Sequence, residues 1–269
     1  MQVKKFSGKY QNFSPKKIYK SIKQAGGSSK LAKETLDIVK NKIHKDITTK
    51  EILKIVLSNL KKEPGVSEKY DLKRAIMSLG PTGFPFEKYF AKILQHYGYE
   101  TKVGTKIKGK MILHEVDIVA NKNKKFMIEC KYHNQPGIIT RLHPAMYTYA
   151  RFLALKQQRF DQPWLVTNTK CSLDAKRYAK GVGLKITGWS YPEKESLQKL
   201  ISEKNLYPIT ILKELANKTK EILFENNIIT LKDFEAYPFL NLTKRLNISK
   251  KETSVLLKEV NDVLNPQIH

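Results

Sequence analysis

Residues 114–131 constrain the fold more than any other stretch of this chain. In residues 114–120 and in residues 126–131, β-branched or apolar side chains alternate with others at a period of two. A short turn rich in Asn and Lys separates them. This pattern predicts two antiparallel β-strands joined as a hairpin, with one face of the hairpin in a core.

Alternation also assigns side chains to the two faces of the hairpin. The face predicted to be core carries Val116, Ile118, Ala120, Phe126, Ile128 and Cys130. Asp117, Glu129 and Lys131 fall on the opposite face. Acids are scarce here, with 25 Asp and Glu against 50 Lys and Arg, and yet two of them are predicted to meet.

Paired carboxylates repel unless a cation lies between them, and Mg²⁺ prefers hard oxygen ligands with open water positions. A lysine two residues after Glu129 can orient a water molecule or neutralise charge that develops on a phosphate. The competing interpretation is a half-solvated antiparallel sheet whose charges point to water.

These residues resemble a known family. Asp117, followed on the next strand by Glu129-x-Lys131, resembles the PD-(D/E)xK nuclease signature, here without the leading Pro. Residues 83–99 resemble the first helix of the Mrr-like restriction endonucleases, and residues 164–179 resemble their later strand and helix. The resemblance covers about residues 81–192.

The resemblance implies a metal-dependent DNA endonuclease with a mixed-sheet α/β fold. It implies catalytic roles for Asp117, Glu129, Lys131 and Glu87. It also implies that Glu87, Asp117, Glu129 and the carbonyl of Cys130 hold Mg²⁺ or Mn²⁺. Without the resemblance, Glu87 would simply complement the dipole at the start of its helix.

The first 80 residues form a distinct unit, predicted to be a small hairpin followed by four helices. Ser14-Pro15 has the N-cap and first-turn residues of a helix, and Thr48–Glu51 has capping-box spacing. The unit resembles the ATP-cone domain through Val3, Lys5, Gly8, Gln11 and Phe13, and further along the chain through Lys17, Ile18 and residues 70–75.

The ATP-cone resemblance implies a regulatory site for ATP or dATP. Its lining is implied to be Val3, Lys5, Gln11, Lys17, Thr49 and Lys73. Phe6, Ser7 and Gln11 stand where the family usually has Arg, Asp and Glu, so a bundle that no longer binds the nucleotide is the alternative. No Walker loop is present, and nucleotide hydrolysis is therefore not implied.

The formal net charge of +25 predicts affinity for polyanions, nucleic acid first among them. Only six basic residues are Arg, so the charge supports contact with phosphate but does not indicate sequence specificity. The two cysteines make neither a disulfide framework nor a zinc site. No apolar run is long enough to span a membrane and no secretory signal opens the chain, so we expect a soluble, cytoplasmic protein.

We therefore predict an α/β multidomain protein divided at 1–80 (helical bundle with a β-hairpin cap), 81–192 (restriction-endonuclease-like) and 193–269 (small helical appendage). Helices are predicted at 197–201, 209–224, 231–236 and 250–263. The partners expected are DNA and an adenine nucleotide, with homo-oligomerisation through the N-terminal or C-terminal helices. The alternatives are a nucleotide-responsive DNA-binding regulator without catalysis and a structure-selective nuclease such as a junction resolvase.

Overall fold

The structure is a computed structural model that describes residues 1–5 and 8–265. The chain divides into two compact units. The first combines Met1–Ala75 with the segment from Ile209 onward, and the second is Ile76–Pro208. The second unit is therefore a continuous segment inserted in the sequence of the first.

The N-terminal part of the first unit is a two-stranded hairpin on a helical bundle. Its elements are β1 (Gln2–Lys4), β2 (Tyr10–Asn12), α1 (Pro15–Gln24), α2 (Ser29–Lys42), α3 (Thr49–Leu60), α4 (Val66–Tyr70) and α5 (Leu72–Met77). As predicted, Ser14 is the N-cap of α1 with Pro at its start, and Thr48 and Glu51 form a capping box. The predicted fourth helix is interrupted at Asp71, where the backbone leaves the helical region.

The second unit is built on a five-stranded mixed sheet. Its elements are α6 (Phe84–His96), β3 (Glu100–Lys108), β4 (Leu113–Asn121), β5 (Lys125–Lys131), β6 (Ile139–Thr140), α7 (Leu142–Ala154), β7 (Gln162–Thr167), β8 (Lys170–Cys171), α8 (Leu173–Val182), β9 (Lys185–Thr187) and α9 (Leu197–Glu203). The sheet order is β3-β4-β5-β7-β9. The β3, β4 and β5 strands pair antiparallel, whereas β5, β7 and β9 pair parallel.

Apolar side chains cover both faces of this sheet where β4 and β5 run side by side. Aromatic rings pack together on one side, with Trp164 5.4 Å from Phe126 and 5.7 Å from Phe90 between ring centroids. Val119 and Met127 are also buried, although alternation puts them on the face predicted to be polar. They pack with Leu155, just after α7, so the sheet is not half solvated at this point.

The C-terminal part of the first unit is helical, as predicted. After a short 3₁₀ turn at Ile209–Ile211 it contains α10 (Asn217–Glu225), α11 (Leu231–Ala236), a π-helical turn at Asn241–Arg245 and α12 (Lys250–Leu264). The predicted helix over 209–224 was wrong in its first half. Ile209, Ile211 and Leu212 are buried, so their apolar spacing comes from a buried turn, and the helix begins only at Asn217.

The C-terminal helices pack directly on the N-terminal bundle within the first unit. Gly65 has φ +76°, and a Cβ added there would lie 2.1 Å from the carbonyl oxygen of Asp262 in α12. Lys213 donates to the carboxylate of Glu68, and the Thr210 hydroxyl donates to the carbonyl of Ala75 at 2.6 Å. The boundaries 1–80, 81–192 and 193–269 stay a prediction, and this packing of the two chain ends was not foreseen.

None of the helices within residues 1–5 and 8–265 combines the length and apolar character that crossing a bilayer requires.

Candidate active site

Asp117 lies in β4, next to the point where β4 and β5 separate. The last paired residues of that ladder are Ile118 and Ile128, so Asp117 and Glu129 come one position further on opposite strands. The main-chain N–H of Cys130 donates to the Asp117 carboxylate at 2.7 Å. This bond fixes one carboxylate oxygen and ties the two strands together beyond their ladder.

Glu129 is held by a guanidinium group from the neighbouring helix α7. Arg151 donates to the Glu129 carboxylate at 2.6 Å and to the carbonyl of Glu115 at 2.6 Å. The side chains of Arg151 and Glu129 are only 14% and 17% exposed. Arg151 also donates to the hydroxyl of Tyr147 and lies over its ring.

Glu87 comes from the first turn of α6, whose start is anchored to the end of β5. The hydroxyl of Tyr132 donates to the carbonyl of Met77 at 2.6 Å and is 3.1 Å from that of Gly80. The Tyr132 ring stacks on Phe86 at 5.5 Å between centroids. Because Tyr132 directly follows Lys131, the residue that positions α6 belongs to the same strand end as the predicted catalytic lysine.

The acidic groups of the site hold their protons unusually tightly. Burial, with the negative charges of Asp117 and Glu115, raises the pKa of Glu87 to about 7. Burial and Asp117 raise the pKa of Glu129 to about 7, although the Arg151 guanidinium acts in the opposite direction. Burial also raises the pKa of Asp117. The mutual effects place Glu87, Asp117 and Glu129 in one electrostatic neighbourhood, and such crowding of carboxyl groups favours a cation.

The strand end beyond Lys131 is braced from β7. Asn168 is fully buried, accepts from the main-chain N–H of His133 at 2.9 Å and donates to its carbonyl at 2.7 Å. The hydroxyl of Thr140 lies 3.2 Å from the His133 ring and 2.8 Å from the Thr167 hydroxyl. Lys131 itself is exposed. The Lys131 side chain is therefore exposed to solvent, while the main chain just beyond it is held by hydrogen bonds to Asn168.

The donor types suit Mg²⁺, but the side chains are not gathered into a ready-made cage. Over residues 1–5 and 8–265, no group of three or more His, Cys, Asp or Glu side chains is arranged to hold a metal ion. Mg²⁺ is commonly bound by one or two carboxylates with water molecules and substrate oxygens completing its shell. Asp117 and Glu129, with the Cys130 carbonyl, match that chemistry, and the four-donor set that includes Glu87 stays a prediction.

The residues predicted to bind nucleotide lie on the N-terminal hairpin and on the helices of the bundle, and their role stays a prediction. Val3 is 2% exposed and its side chain packs in the bundle core, so only its main chain could line a nucleotide site. Its strand partner Gln11 is half-buried and Lys5 is exposed. The bridge between Lys4 and Thr48 brings the start of α3, and with it Thr49, beside the hairpin.

Two further residues of the predicted nucleotide site lie on helices of the bundle, Lys17 exposed in α1 and Lys73 half-buried in α5. Phe6 and Ser7, where the sequence departs from the ATP-cone pattern, lie outside the described residues.

Sequence reasoning missed the positions that hold the site in place. Arg151 is not among the predicted site residues, because helical spacing does not reveal a partner on another element. Gly104 lies between two residues whose β4 partners, Ile118 and Val116, flank Asp117, and it has φ +61° with open space around it. A glycine inside a strand often marks a close approach to a ligand, and this signal was available in the sequence.

Comparisons with known families agree with this layout. An ATP cone domain model matches residues 1–76, a restriction endonuclease model of the Mrr catalytic type matches residues 81–193, and an AF1548-like C-terminal model matches residues 207–264. The chain is thus an ATP cone domain fused to an Mrr-like restriction endonuclease domain of the PD-(D/E)xK nuclease superfamily.

Its relatives point to one family. An uncharacterized protein of Archaeoglobus fulgidus is 52% identical over 124 residues, which are 46% of this chain and 71% of the relative. A crystal structure of a protein of unknown function, AF1548, is similar with a TM-score of 0.61 and 38% identity, covering 68% of this chain and 98% of that one. The chain belongs to this AF1548-like family.

Proposed function

We propose that the protein is a metal-dependent DNA endonuclease whose activity responds to an adenine nucleotide at the ATP cone. The observation that supports the proposal is the position of Asp117 and Glu129, each one residue beyond the last pair of the β4–β5 ladder, with Lys131 at the end of β5. The Mrr-like domain supports the nuclease class, and the ATP cone supports nucleotide binding.

In this mechanism Asp117 and Glu129, with the Cys130 carbonyl and Glu87, would hold Mg²⁺ or Mn²⁺. The ion, when bound, would polarise the scissile phosphate and lower the pKa of a water molecule. The hydrogen bond from the Cys130 N–H fixes the orientation of the Asp117 carboxylate. One Glu129 oxygen accepts from Arg151 and the other would serve as the ligand, while the remaining guanidinium N–H groups could contact a phosphate oxygen.

Lys131 would position the attacking water and screen the negative charge that builds on the phosphate. Its exposure allows contact with DNA, while the bonds between Asn168 and His133 keep the strand end in register. Direct attack by water on phosphorus leaves no covalent intermediate. The protein's excess of lysine supplies affinity for the phosphate backbone.

A cleavage panel tests the proposal. Duplex, methylated duplex, single-stranded and branched DNA are incubated with Mg²⁺ or Mn²⁺ and the full chain, beside Asp117→Asn and Lys131→Ala. We expect cleavage by the unmodified chain and a loss of about 10²-fold or more in each variant. Preference for branched DNA would identify a structure-selective nuclease, and DNA binding with no cleavage would identify a non-catalytic regulator.

Nucleotide control is tested separately. Adding ATP or dATP is expected to change both the sedimentation coefficient and the cleavage rate, since in this proposal the nucleotide acts by shifting the oligomeric state. Lys17→Ala and Lys5→Ala should reduce the response, because lysine side chains neutralise phosphate charge. An unchanged sedimentation coefficient and cleavage rate would remove this part of the proposal.

A further inference from the structure

The turn between β3 and β4 carries large apolar side chains to solvent. Met111 is 85% exposed, Ile112 is 62% exposed and Leu113 is 66% exposed. Three consecutive exposed apolar residues on one tip are unusual for a surface turn and mark an interaction site.

The turn is compact and defined. The N–H of Gly109 donates to the carbonyl of Ile112 at 2.9 Å and closes the loop. A Cβ on Gly109 would come within 2.8 Å of the His114 ring, so this position leaves no space for a side chain. The apolar tip is therefore presented by a tight hairpin end.

The hairpin is also braced from the rest of the second unit. The Gln158 side chain donates to the carbonyl of Lys108 at 2.9 Å, at the base of the tip. Arg151 donates to the carbonyl of Glu115 on the opposite strand. The hairpin is thus held by side chains on both of its strands.

Lysines surround the apolar tip. Lys106, Lys108 and Lys110 are all exposed. Lys106 and Lys108 pair across the ladder with Glu115 and Leu113, and they lie on its exposed face. A wedge of apolar side chains flanked by cations suits a polyanion with an apolar interior, which describes stacked bases between two phosphate backbones.

The same strand links the tip to the proposed active site. Ile112 immediately precedes β4, and Asp117 lies five positions further along the chain, a span of at most about 17 Å at about 3.4 Å per residue. With a rise of about 3.4 Å per base pair, this distance corresponds to about five base pairs of duplex.

We propose that the β3–β4 tip, residues 110–113, inserts Met111 and Ile112 between base pairs of duplex DNA about five base pairs from the scissile phosphate. The inference rests on the proposed nuclease function and names its substrate as a duplex that is unstacked on binding. Lysines along the hairpin hold the two backbones, and the apolar pair occupies the opened base step.

The first test measures unstacking without cleavage. The full chain binds a 30-base-pair duplex containing 2-aminopurine at successive positions, in EDTA. We expect 2-aminopurine fluorescence to rise on binding, and the rise to be absent in Met111→Ser/Ile112→Ser at matched occupancy. Leu173→Ser, which removes a 60% exposed leucine at the start of α8, is the matched control and should keep the rise.

No rise with the unmodified chain, an equal rise in the double variant, or no DNA binding at all would overturn the wedge. If the unmodified chain and the double variant differ in sedimentation coefficient but not in 2-aminopurine fluorescence, the tip is a contact between copies of the chain. This result would also overturn the wedge.

The second test uses cleavage with Mg²⁺. The double variant should cut intact duplex about tenfold or more slowly and regain most of this loss on a duplex with a two-nucleotide mismatch at the fifth base pair. Equal losses on both substrates would overturn the wedge. If the unmodified chain cuts neither substrate, the nuclease proposal fails, and the fluorescence result still decides whether the tip unstacks DNA.

Discussion

Arg151 and Glu129 form a nearly buried ion pair, with 2.6 Å between a guanidinium nitrogen and a carboxylate oxygen. The pair joins α7 to the end of β5 at the proposed metal site. Arg151 thus supplies in the metal-free chain part of the positive charge that the clustered carboxyl groups require. A cation that uses Glu129 as a ligand would share the carboxylate with this guanidinium and would be repelled by its charge.

Arg151→Met should therefore strengthen binding of a divalent ion while weakening catalysis. Removing one positive charge beside Glu129 is expected to tighten Mn²⁺ binding about tenfold, measured by calorimetry on the full chain. Cleavage should fall because the phosphate loses a charged partner. Arg141→Met, an equal change in net charge at the exposed start of α7, should leave the Mn²⁺ affinity nearly unchanged. Weaker ion binding in Arg151→Met would show that Arg151 supports the site instead of competing for it.

The raised pKa values of Glu87 and Glu129 predict a dependence of stability and ion binding on pH. Each folded-state pKa is about 7 against an ordinary value of 4.5. At a pH between these two values, the folded chain therefore binds more protons than the unfolded chain. The free energy of unfolding of the metal-free chain should then fall as the pH rises from about 4.5 to about 7.

A divalent ion must displace the same protons, so its binding should strengthen over the upper part of this range. The rise in melting temperature caused by Ca²⁺ or Mn²⁺ should be larger at pH 8 than at pH 6, by about 2–4 °C for each kcal/mol of added binding energy. Glu87→Gln/Glu129→Gln should abolish the difference, and Glu100→Gln, an exposed acid at the start of β3, should preserve it. A metal effect that is independent of pH would contradict the assignment.

Asn168→Ala should loosen the strand end that carries Lys131. The substitution removes one acceptor and one donor from the main chain of His133 and leaves a buried gap, at an expected cost of about 1–3 kcal/mol in the free energy of unfolding. Asn168→Asp keeps the acceptor but sets a carboxylate oxygen against the His133 carbonyl oxygen in a fully buried position, so its loss should be at least as large. Denaturant unfolding measures both, with Asn123→Ala in the exposed β4–β5 turn as the neutral control. Equal stability of all three variants would mean that the clamp is not needed.

Gly65→Ala should weaken the docking of α12 on the bundle. A methyl group there meets the Asp262 carbonyl at 2.1 Å, and the positive φ adds strain, so we expect a loss of about 2–4 kcal/mol. Gly26→Ala is a matched control, because Gly26 has φ +91° with nothing within 4 Å and should lose only about 1 kcal/mol. Thermal unfolding of the full chain compares the two. Similar losses would show that the close approach to α12 is not tight in solution.

Local sequence patterns predicted much of the fold because the forces involved are local. The capping box at Thr48 and Glu51 depends on two residues three positions apart, and the structure contains it. Alternation in residues 114–131 likewise predicted the two strands, β4 and β5, which pair antiparallel. The roles of Asp117, Glu129 and Glu87 in a metal site stay predictions, since the spacing of Glu87 alone favoured a simple helix-start acid.

What the sequence did not reveal depends on partners far away in the chain. Arg151 meets Glu129 across 22 residues, and its helical spacing was equally consistent with a DNA-facing base. Gly65 meets Asp262 across most of the chain, a contact that no local pattern encodes. The apolar spacing from Ile209 onward was mistaken for a helix, because burial of a short turn produces the same spacing.

The bond between Thr210 and Ala75 marks the place where the inserted nuclease segment leaves the first unit and returns to it. The two peptide connections between the units lie side by side. A protease that cuts only one of them leaves the units covalently joined, and both must be cut to separate them.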